Sequence, residues 1–441
     1  MTNNKFKVLI VGAGIAGLCI AIGLRKQGHH VVLLESAHQL SPVGAGIHVP
    51  PNATLVLEHW NLLDRFKHVA IAPAGFIFRR YKNSSILAQP SRPAPSDDAP
   101  TTPYWSMKRS DYQQGLYEAT LEVGVEIFLG KRVATMDQDN ASVTTTDGET
   151  WTGNLVIVAD GIKSRLRQQI IDEQDVSAIL QPLSTYRAMV TREDLMADPQ
   201  ASALFANGGT NVWLGPSRHV IIYPAENGKI YAVNGTHPAH NDSAGEWNKP
   251  ANVAEIQAKF NDFDPALQGL LAKVRDCKSW ALAEVPRLPR WTSKSGKVVL
   301  IGDAAHGMLQ FLAQGAAMAT EDAAALAEAL SRAKSVENIP KAMRVYERSR
   351  KWRCEKVQAN ARRNGEFIHM PDGEEQEHRD RKMAGLQRPD DQEVDTGPLL
   401  DPKFASWLYG HNAFEHVSTV SHPMCIATEM LTSPTDPQII R

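Results

Sequence analysis

The chain has 441 residues, 43% apolar and 22% charged, with a formal net charge of −2. These figures describe a globular protein of two or three structural units, exclude a disordered chain, and argue against nucleic acid as a partner, since phosphate binding needs clustered positive charge. Cys19, Cys277, Cys354 and Cys425 are scattered without CxxC or metal spacing, so reduced thiols in a cytoplasmic protein and no metal site are expected.

In chain order, "KFKVLIVGAGIAGLCIAIGLRKQGHHVVLLESA" (Lys5–Ala37) predicts strand, glycine turn, helix and strand. The opening residues place glycines inside their apolar run and show no secretory cleavage site. No later run reaches the roughly 18–20 apolar residues that span a bilayer. "AQPSRPAPSDDAPTTP" (Ala88–Pro103) reads as a proline-rich surface loop. "TPYWSMKRSDYQQGLYEAT" predicts a strand end and then a helix from near Ser110. "ASVTTTDGETWTGNLVIVADG" predicts a hairpin turning at Asp147-Gly148 and then a buried strand.

From about Ser177 to Pro286 the pattern alternates like antiparallel strands, with Asn227-Gly228 as a hairpin turn. "PANVAEIQAKFNDFDPALQGLLAKV" then reads as amphipathic helix. "MPDGEEQEHRDRKMAGLQRPDDQEVDTGP" (Met370–Pro398) reads as a solvated helix plus loop. The expected organisation is an α/β unit over 1–176 and 287–365, a β-rich unit over 177–286 inserted into it, and a helical or loop segment over 366–441.

Gly12, Gly14 and Gly17 form GxGxxG between a strand and a helix, with Glu35 at the end of the next strand. Gly12 suits a tight turn, Gly14 lets backbone approach a pyrophosphate, and Gly17 lets helix pack on strand. The helix N-terminus offers free N–H groups to phosphate, and Glu35 accepts from a ribose hydroxyl pair. The motif alone does not separate FAD from NAD. "VVLIGDAAHGMLQFLAQGAAMATEDAAAL" supplies a second acid, Asp303, and a second small-residue helix start at Gly315 and Ala316. FAD is long enough to need both halves.

With these residues the chain resembles the class A flavin monooxygenases, and within them the fungal salicylate-hydroxylase-like proteins. The resemblance rests on Gly12-x-Gly14-x-x-Gly17, on "DGIKSRLR" (Asp160, Gly161, Ser164, Arg167 as DGxxSxxR), and on Gly302-Asp303 with its loop. "GAGIHVPPNA", "MKRSDYQQGL", "YRAMV", "WLGPSRHVIIYP" and "WLYG" extend it over nearly the whole chain. It implies a Rossmann-type FAD-binding domain with an inserted β-sheet substrate domain and a C-terminal helical part.

It further implies that NADPH or NADH reduces FAD without a second nucleotide domain. A flavin hydroperoxide formed with dioxygen then oxygenates a small, electron-rich aromatic substrate. Residue by residue, Glu35 would bind adenosine ribose, Gly46 and Arg109 would contact FAD, and Asp160 lies in a motif associated with both cofactors. Asp303, Gly315 and Ala316 would hold ribitol and ring. Arg187 and Tyr223 match positions pointing at substrate from facing strands, Arg187 as anchor for a phenolate or carboxylate and Tyr223 as hydrogen-bonding or proton-handling group. His48 is open to two readings, a neutral imidazole facing the active site or a structural histidine. His219 and His306 show no ligand spacing.

The chain departs from the family where prolines usually stand, at Gly307 and Gln310. Glycine there implies a freer backbone, and Gln310 adds donors and an acceptor. Three readings are open: a tolerated change, a hydrogen bond from Gln310 to an unusual substrate, or poor oxygen activation. Three functions are correspondingly open. They are hydroxylation of a small aromatic, epoxidation or dearomatisation of an indole or polyketide intermediate of secondary metabolism, and flavin binding without turnover. The protein is expected as a monomer or homodimer.

Overall fold

Short runs of Val, Leu and Ile with both faces apolar form a buried parallel sheet. The computed structural model describes residues 5–40, 46–90, 102–239, 248–385 and 397–420. In it five strands, all but the last built on such a run, lie in the order Val298–Leu300, Leu155–Val158, Lys7–Val11, His30–Leu34, Glu126–Phe128, every neighbouring pair parallel. Leu9, Ile10, Leu155, Ile157, Val298 and Leu300 have no exposed surface, and each contributes about 1.5–3 kcal/mol by leaving water. The helices Ile15–Lys26, Gly315–Ser331 and Ile339–Ile368 join the same core.

The topology puts the C-terminal ends of four adjacent strands side by side. Gly12 follows Val11, Glu35 follows Leu34, Asp160 lies two residues past Val158, and Asp303 three past Leu300. Ligands of open parallel sheets bind at that edge.

The second large sheet has eight strands in the order Asn248–Pro250, Cys277–Glu284, Ile179–Thr191, Ile230–Pro238, Arg218–Ala225, Thr210–Gly215, Phe76–Arg80, Ile86–Ala88. The hairpin at Asn227-Gly228 forms as the turn chemistry dictates, with positive φ at both residues. The sheet is wider than the 177–286 stretch, because Phe76–Arg80 pairs parallel with Thr210–Gly215 and brings Ile86–Ala88 with it. One face packs on helices, with Trp213, Val220, Ile222 and Val233 against Phe260, Phe263 and Leu267. The opposite face carries Phe78, Val212, Leu214 and Ile221, which meet Leu309 and Phe311 of the loop after Asp303.

Two details differ from the sequence expectation. The amphipathic stretch after Pro250 is two helices, Val253–Lys259 and Pro265–Leu271. Pro265 cannot continue the first helix, and Asp264 caps the second by accepting from Ala266 N–H at 2.9 Å. The helix expected from near Ser110 begins at Arg109, as that reading has it. The charged stretch after the longest helix is only partly solvated: Glu374–Met383 is helical, yet Arg379 is buried and donates to Phe367 C=O at 2.7 Å. Asp372 pairs with Arg80 and Lys82 on the sheet edge. Most of the proline-rich loop, and 386–396 of the charged stretch, lie outside the described residues. Among the described residues no helix is long and apolar enough to cross a membrane.

Candidate active site

The glycine turn is shaped by backbone crowding on one side and open space on the other. Gly12 has φ +107°, and a Cβ there would lie 2.5 Å from Ala159 C=O; at Gly17 a Cβ would lie 1.9 Å from Gly12 C=O. At Gly14, between them, no atom of the described residues lies within 4 Å of the Cβ position. The helix that follows has no side-chain cap and no acid in its first turn, so its first N–H groups stay available. Glu35 accepts from Ala13 N–H at 2.7 Å with one oxygen, and from Ala37 N–H and Ser36 Oγ with the other. It is therefore locked against the same turn.

The second half joins the first through Arg109. Gln113 donates to Ala13 C=O at 3.0 Å and accepts from Arg109, and Arg109 in turn feels the charge of Asp303. The helix Gly315–Ser331 also begins without a side-chain cap, and a Cβ on Gly315 would meet only Asp303 Oδ1, at 4.0 Å. Gly12, Gly14, Glu35, Gly46, Arg109, Asp160, Asp303, Gly315 and Ala316 all retain exposed surface beside a closed core, whereas Gly17 is buried. Asp160 Oδ1 is enclosed with no hydrogen-bond partner among the described residues. Two uncapped helix N-termini, an open glycine at the first of them and an orphan carboxylate oxygen are what a dinucleotide needs, so these residues fit FAD.

Arg167 has a different part. It is buried and donates to Val176, Ala304 and Ile162 carbonyls at 2.8, 2.9 and 3.0 Å. It thereby clamps the Asp160 turn to the Asp303 loop.

Arg187 and Tyr223 do not face each other from opposite strands. Arg187 pairs in register with Asn234, and Asn234 with Ile221, so Arg187, Asn234, Ile221 and Tyr223 share one face of one sheet. Asn234 Nδ2 donates to Tyr223 Oη at 3.4 Å. Burial pushes the Tyr223 hydroxyl up to about 12, against the opposing effects of Asn234 and Arg187, so it is a protonated donor at neutral pH. Arg187 stacks on Trp280 with 5.0 Å from guanidinium to ring, and its Nη2 donates to Gln310 Oε1 at 2.8 Å. The residue is partly exposed, yet its Nε is enclosed without a partner among the described residues. Among the described residues it has no ion pair; burial and the neighbouring Arg109 lower its pKa, and Tyr223 partly offsets this.

Gln310 joins the loop to the sheet, since its Nε2 also reaches Thr236 Oγ1 at 3.3 Å. Gly307 is not the freer backbone expected from glycine. Its carbonyl accepts from Val285 N–H at 2.8 Å and Gln358 Nε2 at 3.2 Å, and a Cβ would lie 2.9 Å from Ile162. A methyl there would force the Ile162 or Val285 side chain to shift.

His48 is 5% exposed, with ring centroids 4.2 Å from Tyr223, 5.5 Å from Tyr104 and 6.1 Å from Phe76. Burial lowers its pKa to about 3, so the ring is neutral.

Behind the second helix start lies a network that sequence reasoning missed. Asp322 accepts from Gly302 N–H at 3.0 Å, pairs with His306 at 2.5 Å and takes Arg350 Nε at 2.8 Å. Glu321 binds Arg350, Arg353 and Asn52, and Asn52 also donates to Gln314 at 3.1 Å. His306, Asp322 and Cys354 offer ligand atoms within 4.8 Å of one another, but Arg350 bonds both Asp322 and Cys354. A guanidinium thus holds the place a metal ion would need. The adjacent acids in "MATEDAAAL" were the available signal, since paired charges inside an alanine-rich helix require buried partners.

Residues 5–361 match the family model described as FAD binding domain. The chain is 33% identical over 421 residues to a FAD-dependent monooxygenase of Beauveria bassiana, covering 93% of this chain and 96% of that one. It is 30% identical to a 3-hydroxybenzoate 6-hydroxylase of Polaromonas naphthalenivorans, covering 84% and 90%. A solved salicylate hydroxylase in a substrate complex superposes with a TM-score of 0.79 at 25% identity, covering 95% of this chain and 98% of that one. With its glycine turn, its second acid and helix start, and these near full-length likenesses, the chain belongs to the FAD-binding-domain family of FAD-dependent monooxygenases.

Proposed function

We propose that the protein uses NADPH or NADH and dioxygen to place one oxygen atom on an electron-rich aromatic substrate, and that an anionic group of that substrate docks on Arg187. FAD, when bound, supplies the electron transfer and oxygen activation. Gly12 and Gly14 would receive its pyrophosphate, Gly17 would hold the helix against the turn, and Glu35 would take its ribose. Asp160, Arg109, Asp303, Gly46, Gly315 and Ala316 would hold the remainder.

The observation that carries the substrate reading is Arg187. A guanidinium with an enclosed nitrogen and no acid among the described residues is poorly compensated. A carboxylate or phenolate would complete it by charge-assisted hydrogen bonds. Tyr223 stays protonated and donates to a substrate oxygen. Gln310 fixes Arg187 against the loop, and Leu309, Phe311, Phe78 and Ile221 keep water from the reacting face.

The test is whether the purified yellow holoenzyme oxidises NADPH faster when an aromatic acid is added, with mass analysis of the product. Gain of one oxygen, with or without loss of a carboxyl, supports hydroxylation; an epoxide or dearomatised product points to the secondary-metabolite alternative. No acceleration by a broad set of aromatic acids and phenols contradicts the proposal. The buried, unpaired Cys19, Cys277 and Cys354 support a reducing, cytoplasmic location.

A further inference from the structure

His48 stands where the cofactor side and the substrate side of the protein meet. It lies on the strand Gly46–Val49, two residues from Gly46, so both positions share one face. Tyr223 covers that face: a Cβ on Gly46 would be 2.7 Å from Tyr223 Oη, and the His48 ring is 4.2 Å from the Tyr223 ring. Phe76, from the far side of the eight-stranded sheet, and Tyr104 complete an aromatic box around the imidazole.

Within this box both ring nitrogens, Nδ1 and Nε2, are enclosed and have no hydrogen-bond partner among the described residues. Buried polar atoms are nearly always paired, and two unpaired nitrogens on one ring leave it hydrogen-bonding capacity that a ligand or a water would fill. Tyr223, although its ring packs on the imidazole, bonds neither nitrogen; its Oη accepts from Asn234 Nδ2 and keeps its own proton to donate. A neutral imidazole has one donor and one acceptor nitrogen, and burial keeps this one neutral. It is therefore suited to read a hydrogen-bonding group, and unsuited to hold an anion.

We propose that His48 is a specificity-determining residue that accepts a hydrogen bond from a neutral ring hydroxyl of the substrate, while Arg187 holds the substrate's anion. The inference rests on the reading of the Arg187 face as the substrate side. It adds a second, uncharged point of recognition, so the preferred ligand is an aromatic acid that also carries a hydroxyl placed toward Gly46. His48 takes no proton in this role; it selects which acids are held and in which orientation.

The experiment titrates the FAD-loaded holoenzyme with benzoate and with each of the three monohydroxybenzoates, following the flavin absorbance. Wild type is expected to bind at least one hydroxybenzoate about tenfold tighter than benzoate, the worth of one buried hydrogen bond. His48→Phe keeps the ring and removes both nitrogens. It should bring that ratio to about one while leaving benzoate affinity and FAD content unchanged. His48→Gln, which again donates and accepts, should restore part of the preference.

A preference that survives intact in His48→Phe, or a wild type without any, overturns the proposal. Arg187→Met distinguishes the two readings: it should weaken benzoate and hydroxybenzoates by the same factor and leave their ratio intact. If Arg187→Met changes neither affinity, the Arg187 reading fails while the His48 ratio still stands or falls by itself.

Discussion

Arg350 and Arg187 are both cations set among packed side chains, and their surroundings could hardly differ more. Arg350 is fully buried, and with Arg353 it meets Glu321 and Asp322 in a set of charges in which every cation has a carboxylate. Arg187 has an amide oxygen, an indole face and no acid among the described residues. Breaking a buried pair is strongly destabilising, whereas an uncompensated charge adds little to stability and has value only when its counter-charge arrives. The first arrangement holds the fold around Gly302 and Gln314. The second is poised for a ligand.

The sharpest way to break this contrast is in the balanced network. Asp322→Ala should lower unfolding free energy by about 3–5 kcal/mol in denaturant titration, because it strands Arg350 and His306. Burial alone would raise the Asp322 and Glu321 carboxyls, but the cations around them hold both below their ordinary values. Groups with depressed folded pKa values contribute their full stability above the unfolded value of about 4 and lose it as pH falls further. Wild type should thus lose this contribution below about pH 4, and Asp322→Ala should show a shallower acid dependence. Equal acid profiles would show that the network adds no pH-linked stability.

Arg187→Met gives the opposite signature. The denaturation midpoint should stay level or rise, since a poorly compensated charge is removed. A fall as large as that of Asp322→Ala would place Arg187 among the structural residues.

Between these extremes, Gly307→Ala should cost about 1–3 kcal/mol by forcing a methyl against Ile162 and Val285. If it is neutral, the loop is softer than its hydrogen bonds suggest. The smallest effect belongs to Gln310→Ala, which removes one hydrogen bond to Arg187, worth about 1.5 kcal/mol as a charged one. Substrate affinity should fall several-fold, and product formed per NADPH should drop as Arg187 loses its support. Unchanged affinity and yield would show that Gln310 has no part in the site.

The two sides of the molecule were unequally legible in the sequence. The cofactor side is built from contiguous motifs whose spacing carries the physics: Gly12-x-Gly14-x-x-Gly17 turns a chain whatever lies elsewhere, and Gly315 opens a helix in plain view. The substrate side is a product of register. That Gln310 reaches Arg187 across 123 positions of sequence follows only once the loop is laid on the sheet. That Arg187 and Tyr223 share a face follows from the pairing through Asn234. Strand alternation offered part of this, since Ile221 and Tyr223 must point the same way, but not which strand lay between. Gly307 misled for a related reason: local chemistry says freedom, while Ile162 and Val285 from distant segments fill the space around it.

The central claim, that Arg187 awaits a substrate anion, is tested most directly by a pair of ligands differing only in charge. Dissociation constants for an aromatic acid and its neutral amide, benzoate and benzamide, are compared in FAD-loaded wild type and Arg187→Met. Wild type should prefer the acid, and the substitution should remove about 2 kcal/mol or more of that preference, roughly thirtyfold in the ratio of constants. A ratio unchanged by the substitution would contradict the account.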